Sequence, residues 1–333
     1  MIVQITTPSR LHFGLIDLNG ELGRINGSLG VALENPSWLI HAGESVSPND
    51  TILSEEFKKQ FSSFKARFDQ QFKTNSKQIN FSFVKDIPAH VGLGSKTQFF
   101  LGIGALLAKI HHLDLEARPL AKLAERGGTS GIGVAAFTAG GFIVDGGHSF
   151  GPGKTTTTFQ PSSTSKAPPP PVLFQTPLPA SWRFLIITPK GFKGFFGSKE
   201  QQLFAECCPV PAREPEQLSR LILMKILPAL KEADIQTFGA GLTELQTKFK
   251  RFGFEKYSGT IVAELLELVR KQDFIFGSGI SSFGPTIFGL TNVLKKASQF
   301  LEELAQTFSP KQFEILEVTT CNTVGAKINV LKV

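Results

Sequence analysis

The chain has 333 residues, 41% of them apolar and 19% charged, with a formal charge of +7. That balance describes a folded globular protein, and at about 100–200 residues per domain the length predicts two domains. No run approaches the roughly 20 apolar residues of a membrane span, and MIVQITTPSRLHF lacks a basic region followed by an apolar signal core, so a cytoplasmic protein without a membrane partner is expected.

The positive balance favours anionic partners. Lysines and arginines are interleaved with glutamates, with no basic tail and no stacking-aromatic motif, which argues against nucleic acid and for a phosphorylated small molecule. Cys207, Cys208 and Cys321 show neither a disulfide framework nor a metal-ligand spacing. The 31 phenylalanines, against one tyrosine and two tryptophans, recur inside helical and strand patterns and read as core fillers.

Ile2 to Thr6 alternates as a strand, leading into residues 8–17, where Arg10, His12 and Asp17 are interleaved with apolar residues. Such a strand has one face in the core and the other on a cleft, or at an exposed edge. Residues 23–27, with Arg24 and Asn26, read as a loop before short strands at Val31–Leu33 and Trp38–Ile40. Phe57, Phe61, Phe64, Phe68 and Phe72 recur at steps of three and four, predicting an amphipathic helix over 55–73 packed on a sheet. Ile79, Phe81 and Phe83 alternate into a strand.

That strand feeds IPAHVGLGSKTQFFLGIGALL, residues 87–107. Gly92 and Gly94 let the backbone turn tightly, and Ser95-Lys96-Thr97-Gln98 opens a long apolar helix. Unpaired N–H groups of the first turn and the positive end of the helix dipole would face an anion, with Ser95, Thr97 and the charge of Lys96 as further donors. A plain turn and helix cap would use the same residues. Pro119 predicts a short helix ending at Gly127. Residues 126–137, RGGTSGIGVAAF, then set Arg126 and four glycines around Thr129 and Ser130 ahead of a small apolar helix; Gly128, Thr129 and Ser130 form a second candidate oxyanion nest. Gly140 to His148 reads as a strand with Asp145 at its end.

Residues 151–180, rich in Thr, Ser and Pro, predict a mobile or polyproline-type connector between a domain at 1–150 and another at 181–333. Beyond it come a strand at Trp182–Thr188, a basic turn at 189–194, helical patterns over 198–250 and a helix at Ser258–Lys271. A third glycine-rich stretch follows at 276–289, then a helix at about 292–308 and strands near 313–319 and 326–331. Strands alternating with helices here predict an α+β sandwich.

Three glycine-serine segments in this order resemble the GHMP kinase superfamily, named after galactokinase, homoserine, mevalonate and phosphomevalonate kinases. Its Pro-x-x-x-Gly-Leu-Gly-Ser-Ser motif is matched by Pro88, Gly92, Leu93, Gly94 and Ser95, and its carboxy-terminal glycine motif by Gly277 to Gly289. Lys96 stands where those kinases carry a second serine, and a counterpart of their catalytic acid is hard to locate. A narrower resemblance covers both departures. Residues 9–36, 90–98, 126–137, 140–148 and 278–289 resemble the β-ribofuranosylaminobenzene 5′-phosphate synthase family of methanopterin biosynthesis, with RGGTSGIGVAAF the most specific block.

The resemblance implies a two-domain GHMP-kinase-like fold, with a ribosomal protein S5 domain 2-like N-terminal domain and a ferredoxin-like second domain. It implies condensation of phosphoribosyl pyrophosphate with 4-aminobenzoate or 4-hydroxybenzoate, releasing carbon dioxide and pyrophosphate, with Mg²⁺. Gly92 to Gln98 would cradle the pyrophosphate, Lys96 would add charge, and Ser95, Thr97 and Asp145 would contact the metal. Arg10, Arg24 or Arg126 would hold the 5′-phosphate or the benzoate carboxylate; His12, Asp17 and His90 would polarise the ring substituent or manage protons. Asn26, Ser281, Ser282, Thr286 and Asn322 would line the same cleft. An ATP-dependent small-molecule kinase, with Asp17 or Asp145 activating a hydroxyl, and a silent binding protein on the same fold are the alternatives; a homodimer is an open expectation.

Overall fold

The computed structural model describes residues 1–162, 164–194, 197–248 and 259–332. Its first sheet is built on two long antiparallel strands, β1 (Ile2–Asp17) and β2 (Arg24–Gly43). Their register jumps from Pro8↔Ser37 to Ser9↔Leu33, so residues 34–36 loop out and the two short strands expected in this region are one. The expected loop at 23–27 is mostly strand as well. Asn26 pairs with Asp17 in left-handed conformation (φ 68°), which an asparagine tolerates, so glycine-rich sequence here marks a bent strand end.

β3 (Asn80–Lys85), β4 (Phe142–Asp145) and β5 (His148–Ser149) pair with β2. β6 (Val172–Thr176) pairs with β4 and corrects the expectation of a bare connector: the Pro/Ser/Thr stretch ends in an edge strand of this sheet. Composition hid it, because an edge strand with one solvated face needs few apolar residues. The far edge is β11 (Lys327–Lys332), which returns from the end of the chain to pair with β1.

Four helices cover this sheet. In α1 (Glu55–Phe72) the Ser54 hydroxyl accepts the Phe57 N–H at 3.4 Å, Glu55 and Glu56 sit at the positive end of the dipole, and Phe57, Phe64 and Phe68 are buried. α2 (Ser95–Ile110) is buried along most of its length, and α3 (Ala117–Leu123) leads to α4 (Ile132–Ala139). α3 begins two residues ahead of Pro119, whose missing N–H falls within the first turn.

The second sheet has the order β10 (Phe313–Thr319), β7 (Arg183–Pro189), β9 (Ile287–Thr291), β8 (Gly277–Ile280), all antiparallel. With α9 (Ile261–Arg270) between β7 and β8 and α10 (Leu294–Phe308) between β9 and β10, this is the split β-α-β-β-α-β arrangement expected for the second half. The expected helix start at Ser258 lies outside the described residues. Inserted after β7 are α5 (Ser198–Cys207), α6 (Arg213–Leu221), α7 (Leu227–Lys231) and α8 (Ile235–Lys248).

Alternation along β7 divides the core. Leu185 and Ile187 face α9 and α10, whereas Phe184 and Ile186 face the first sheet. There Phe13 of β1 stacks on Phe142 at 6.3 Å and meets Phe288 edge-on at 5.1 Å, so both sheets share one aromatic core. The reading of phenylalanine as core filler holds: Phe64, Phe99, Phe184 and Phe238 are among the largest fully buried side chains.

Candidate active site

The loop between β3 and α2 is shaped by three residues in left-handed conformation, His90 (φ 64°), Gly92 (φ 92°) and Gly94 (φ 79°). A Cβ on Gly92 would collide with the Ser281 carbonyl oxygen, and one on Gly94 would press on the Arg10 side chain. The loop is held on several sides. Ser95 Oγ donates to the Ile87 carbonyl at 2.5 Å, Ser281 Oγ and the Arg10 guanidinium both donate to the Gly92 carbonyl, and the Gly194 N–H donates to the His90 carbonyl at 2.7 Å. The third glycine-rich stretch is thus the loop's foundation, with the Ser282 N–H bonded to the His12 carbonyl at 2.8 Å.

α2 starts at Gly94 with no side-chain cap, so the N–H groups of its first turn point into a cleft of about 850 Å³. Six cations line that cleft, Arg10, Lys59, Arg67, Lys96, Arg126 and Lys166, against three carboxylates, Glu56, Glu125 and Glu200. Burial and the neighbouring Arg126 charge pull Arg10 down to about 10, and burial lowers Arg126 as well, with Glu200 and Glu125 offsetting part of it. Two guanidinium groups held close in a poorly solvated cleft repel each other until an anion enters. Lys96 Nζ lies 2.6 Å from Glu56 Oε1, and His90 Nε2 lies 3.5 Å from Glu56 Oε2. The Lys96 hydrogen bond holds the Glu56 carboxyl below its ordinary value, while burial, then the Lys96 charge, lowers His90.

Of the residues expected at the site, the structure gathers Arg10, His90, Gly92, Gly94, Ser95, Lys96, Thr97, Arg126 and Ser282 around this cleft. His12 and Ser281 stand behind its wall. Burial and then the Arg10 charge lower His12 to about 3, so its imidazole is neutral and its role as a proton carrier is not supported by its placement. Gln98 is buried and donates to the Gly133 carbonyl at 2.7 Å, and Thr286 shares a hydrogen bond with Thr188 at 2.8 Å.

The others serve the fold elsewhere. Asp17 Oδ1 accepts the Asn19 and Gly20 N–H groups at the hairpin end, Arg24 donates to the Gly146 and Gly147 carbonyls, and Asn26 lies within 3.4 Å of the His148 ring. Asn322 Oδ1 accepts the Val324 and Gly325 N–H groups in the turn before β11. The second expected nest is filled by the chain itself. Asp145 accepts the Gly131 N–H at 2.9 Å, the Gly147 N–H at 3.0 Å and the Ser28 hydroxyl, while Ser130 Oγ bonds Ser28 Oγ at 2.7 Å and the Ser165 hydroxyl donates to the Gly128 carbonyl. Gly128, Thr129 and Ser130 therefore do not face the cleft.

The expected metal contacts do not converge. Ser95 and Thr97 line the cleft but Ser95 Oγ is committed to Ile87, and Asp145 is buried beneath α4 with three donors on its carboxylate. Among the described residues no group of three or more His, Cys, Asp or Glu side chains could hold a metal ion. Ser95, Thr97 and Asp145 therefore do not form one Mg²⁺ site. Sequence reasoning missed Glu56, Lys59 and Arg67 of α1, although Glu56, Gln60, Ser63 and Arg67 each ride one residue ahead of Phe57, Phe61, Phe64 and Phe68 and so share the neighbouring stripe of the helix.

A family model described as the GHMP kinases N terminal domain matches residues 57–141, the span from α1 to the end of α4. The chain is 38% identical over 347 aligned positions to the beta-ribofuranosylphenol 5′-phosphate synthase of Methanocaldococcus jannaschii, covering 98% of this chain and 100% of that protein. It is 40% identical over 296 positions to the synthase of the same name from Methanothermobacter thermautotrophicus, covering 86% and 88% of the two chains. Among solved structures, Methanococcus jannaschii mevalonate kinase is similar at a TM-score of 0.63 over 98% of each chain and 15% identity, a likeness of fold alone. With identity of 38% and 40% sustained over most of its length on a kinase-like fold, the chain belongs to the beta-ribofuranosylphenol 5′-phosphate synthase family.

Proposed function

We propose that this enzyme joins C1 of phosphoribosyl pyrophosphate to a ring carbon of a para-substituted benzoate, with release of pyrophosphate and carbon dioxide, as a glycosyl transfer coupled to decarboxylation in methanopterin biosynthesis. The relatives' name specifies a ribosylphenol, which favours 4-hydroxybenzoate over 4-aminobenzoate. The observation that carries the proposal is the gathering of Arg10, Lys96 and Arg126 at the uncapped N-terminus of α2, a concentration of positive charge and free N–H groups in one cleft that suits a highly charged anion.

In this reading the diphosphate lies against the Gly92–Lys96 backbone. The C1–O bond breaks with its electron pair passing to the diphosphate, whose growing charge is met by the first-turn N–H groups, Lys96 and Arg10. The carbon bearing the carboxylate attacks C1. The bond from ring to carboxylate then breaks, its electron pair restores aromaticity, and carbon dioxide departs. No proton is consumed, so the reaction asks for no histidine as proton carrier; burial and the Arg10 charge lower His12 to about 3, and burial and the Lys96 charge lower His90. Mg²⁺ remains in the proposal only as a counter-ion carried by the diphosphate, and no step runs through it.

The test supplies phosphoribosyl pyrophosphate with carboxyl-labelled 4-hydroxybenzoate or 4-aminobenzoate and, in parallel, ATP with small alcohols. Equal release of labelled carbon dioxide and pyrophosphate is expected. ADP in the second arm would establish the kinase reading instead, and binding of donor without any product would establish a silent binding protein.

A further inference from the structure

We propose that Arg126, Thr164 and Lys166 form a second phosphate subsite within this cleft, which takes the 5′-phosphate monoester of the phosphoribosyl donor. The inference rests on the diphosphate reading above and goes beyond it by assigning the other end of the substrate to a segment whose composition had marked it as a tether.

The segment is a fixed wall. The Gln160 carbonyl accepts the Thr129 hydroxyl at 2.9 Å, Ser165 Oγ donates to the Gly128 carbonyl at 2.5 Å, the Pro171 carbonyl accepts the Gly146 N–H at 2.9 Å, and the Pro168 carbonyl lies 2.9 Å from His148 Nε2. Pro169 and Pro170 pack so closely on Gly127 and Gly131 that a Cβ at either glycine would strike the proline ring. These contacts hold residues 160–162 and 164–171 against the loop after α3 and the turn after β4. One consequence is that Thr164 and Lys166 enter the cleft on the same side as Arg126.

Arg126 is half-buried and lines the cleft. Its Nε faces the Thr97 hydroxyl at 3.4 Å, which leaves the Nη groups as a planar fork for a phosphate. The fork is anchored one residue further into α2 than Lys96, whereas Arg10 is anchored on the Gly92 carbonyl. The two guanidinium groups therefore meet the start of α2 at different residues, Arg10 at Gly92 and Arg126 at Thr97. A donor with a diphosphate at one end and a monoester at the other satisfies both, with its reactive carbon between them.

The same arrangement selects the donor. A nucleoside triphosphate could fill the diphosphate position, but it has no monoester to pair with Arg126 and Lys166, and leaving charges unpaired in a partly desolvated cleft discriminates against it.

Calorimetric titration of the full-length protein with pyrophosphate and, separately, with ribose 5-phosphate tests this. Thr164 and Lys166 are exposed, so the double variant T164A/K166A keeps the core intact. It should bind ribose 5-phosphate about tenfold more weakly while pyrophosphate affinity stays within about twofold, and the variant Lys96→Ala should show the reverse pattern. Unchanged ribose 5-phosphate affinity in the double variant, with pyrophosphate binding intact, would overturn the second subsite and leave the diphosphate reading standing. If the unaltered protein binds neither probe, the diphosphate reading fails and the subsite with it.

Discussion

At the open end of α2 the Lys96 ammonium donates to the Glu56 carboxylate in a 2.6 Å hydrogen bond. Replacing Lys96 with alanine should lower turnover by about tenfold or more without changing the fold, because its charge acts on the leaving group; unchanged steady-state kinetics would show that it is directed elsewhere. Glu56 now stands where part of an anion would stand. Glu56→Gln should therefore tighten pyrophosphate binding severalfold, read by calorimetry, since Lys96 is released from a competing carboxylate. Asp145 was expected at a metal and instead closes the N-terminus of α4, with burial pushing its carboxyl up to about 6 from an ordinary 3.8. A raised acid holds its proton harder in the folded state, so its contribution to stability is complete below pH 3.8 and is lost as pH rises through 6. The Tm difference between the Asp145→Asn protein and the unaltered one should thus shift in favour of the variant from pH 4 to pH 7; a difference that stays flat would mean Asp145 titrates normally. The residue types at the cleft were legible. Their partners were not, because Ser28 and Asp145 are separated by most of the first domain in sequence and meet only through the pairing of β2 with β4.

Among the elements, the loop from Pro88 to Gly94 shows how far a motif specifies geometry. Its glycines predicted tight turns, and left-handed φ at Gly92 and Gly94 bears that out. What the motif did not contain is the support from β8–β9, where Ser281 and Gly284 come against Gly92. Gly92→Ala should cost about 1–3 kcal/mol in stability from backbone strain and contact with that loop, and lower activity further than the stability loss explains; thermal unfolding and turnover measured on the same sample separate the two effects. The 127–131 stretch, with an equally glycine-rich sequence, is closed by Asp145 and by residues 160–171. Glycine permits both outcomes, an open nest and close packing, and tertiary neighbours choose between them. On α1 the phenylalanine periodicity specifies the buried face, whereas the polar stripe beside it lines the cleft only because of where the helix packs.

The whole molecule is held together where its sheets meet. Phe13, Phe142, Phe184 and Phe288 form one aromatic cluster drawn from β1, β4, β7 and β9. Phe13→Ala should cost about 3–5 kcal/mol and lower the stability of both sheets together, observed as a single shifted thermal transition; two separate transitions would show the sheets to be energetically independent. The sequence by itself determined most of the strands and helices, their apolar faces and the tight glycine loop ahead of α2, because each depends on residues within a few positions of one another. The strand hidden at 172–176, the return of β11 to β1, the cationic pair Arg10–Arg126 and the wall at 160–166 were decided only by the tertiary structure. Each joins segments far apart in the chain, and local periodicity carries no record of which distant surface a segment will meet.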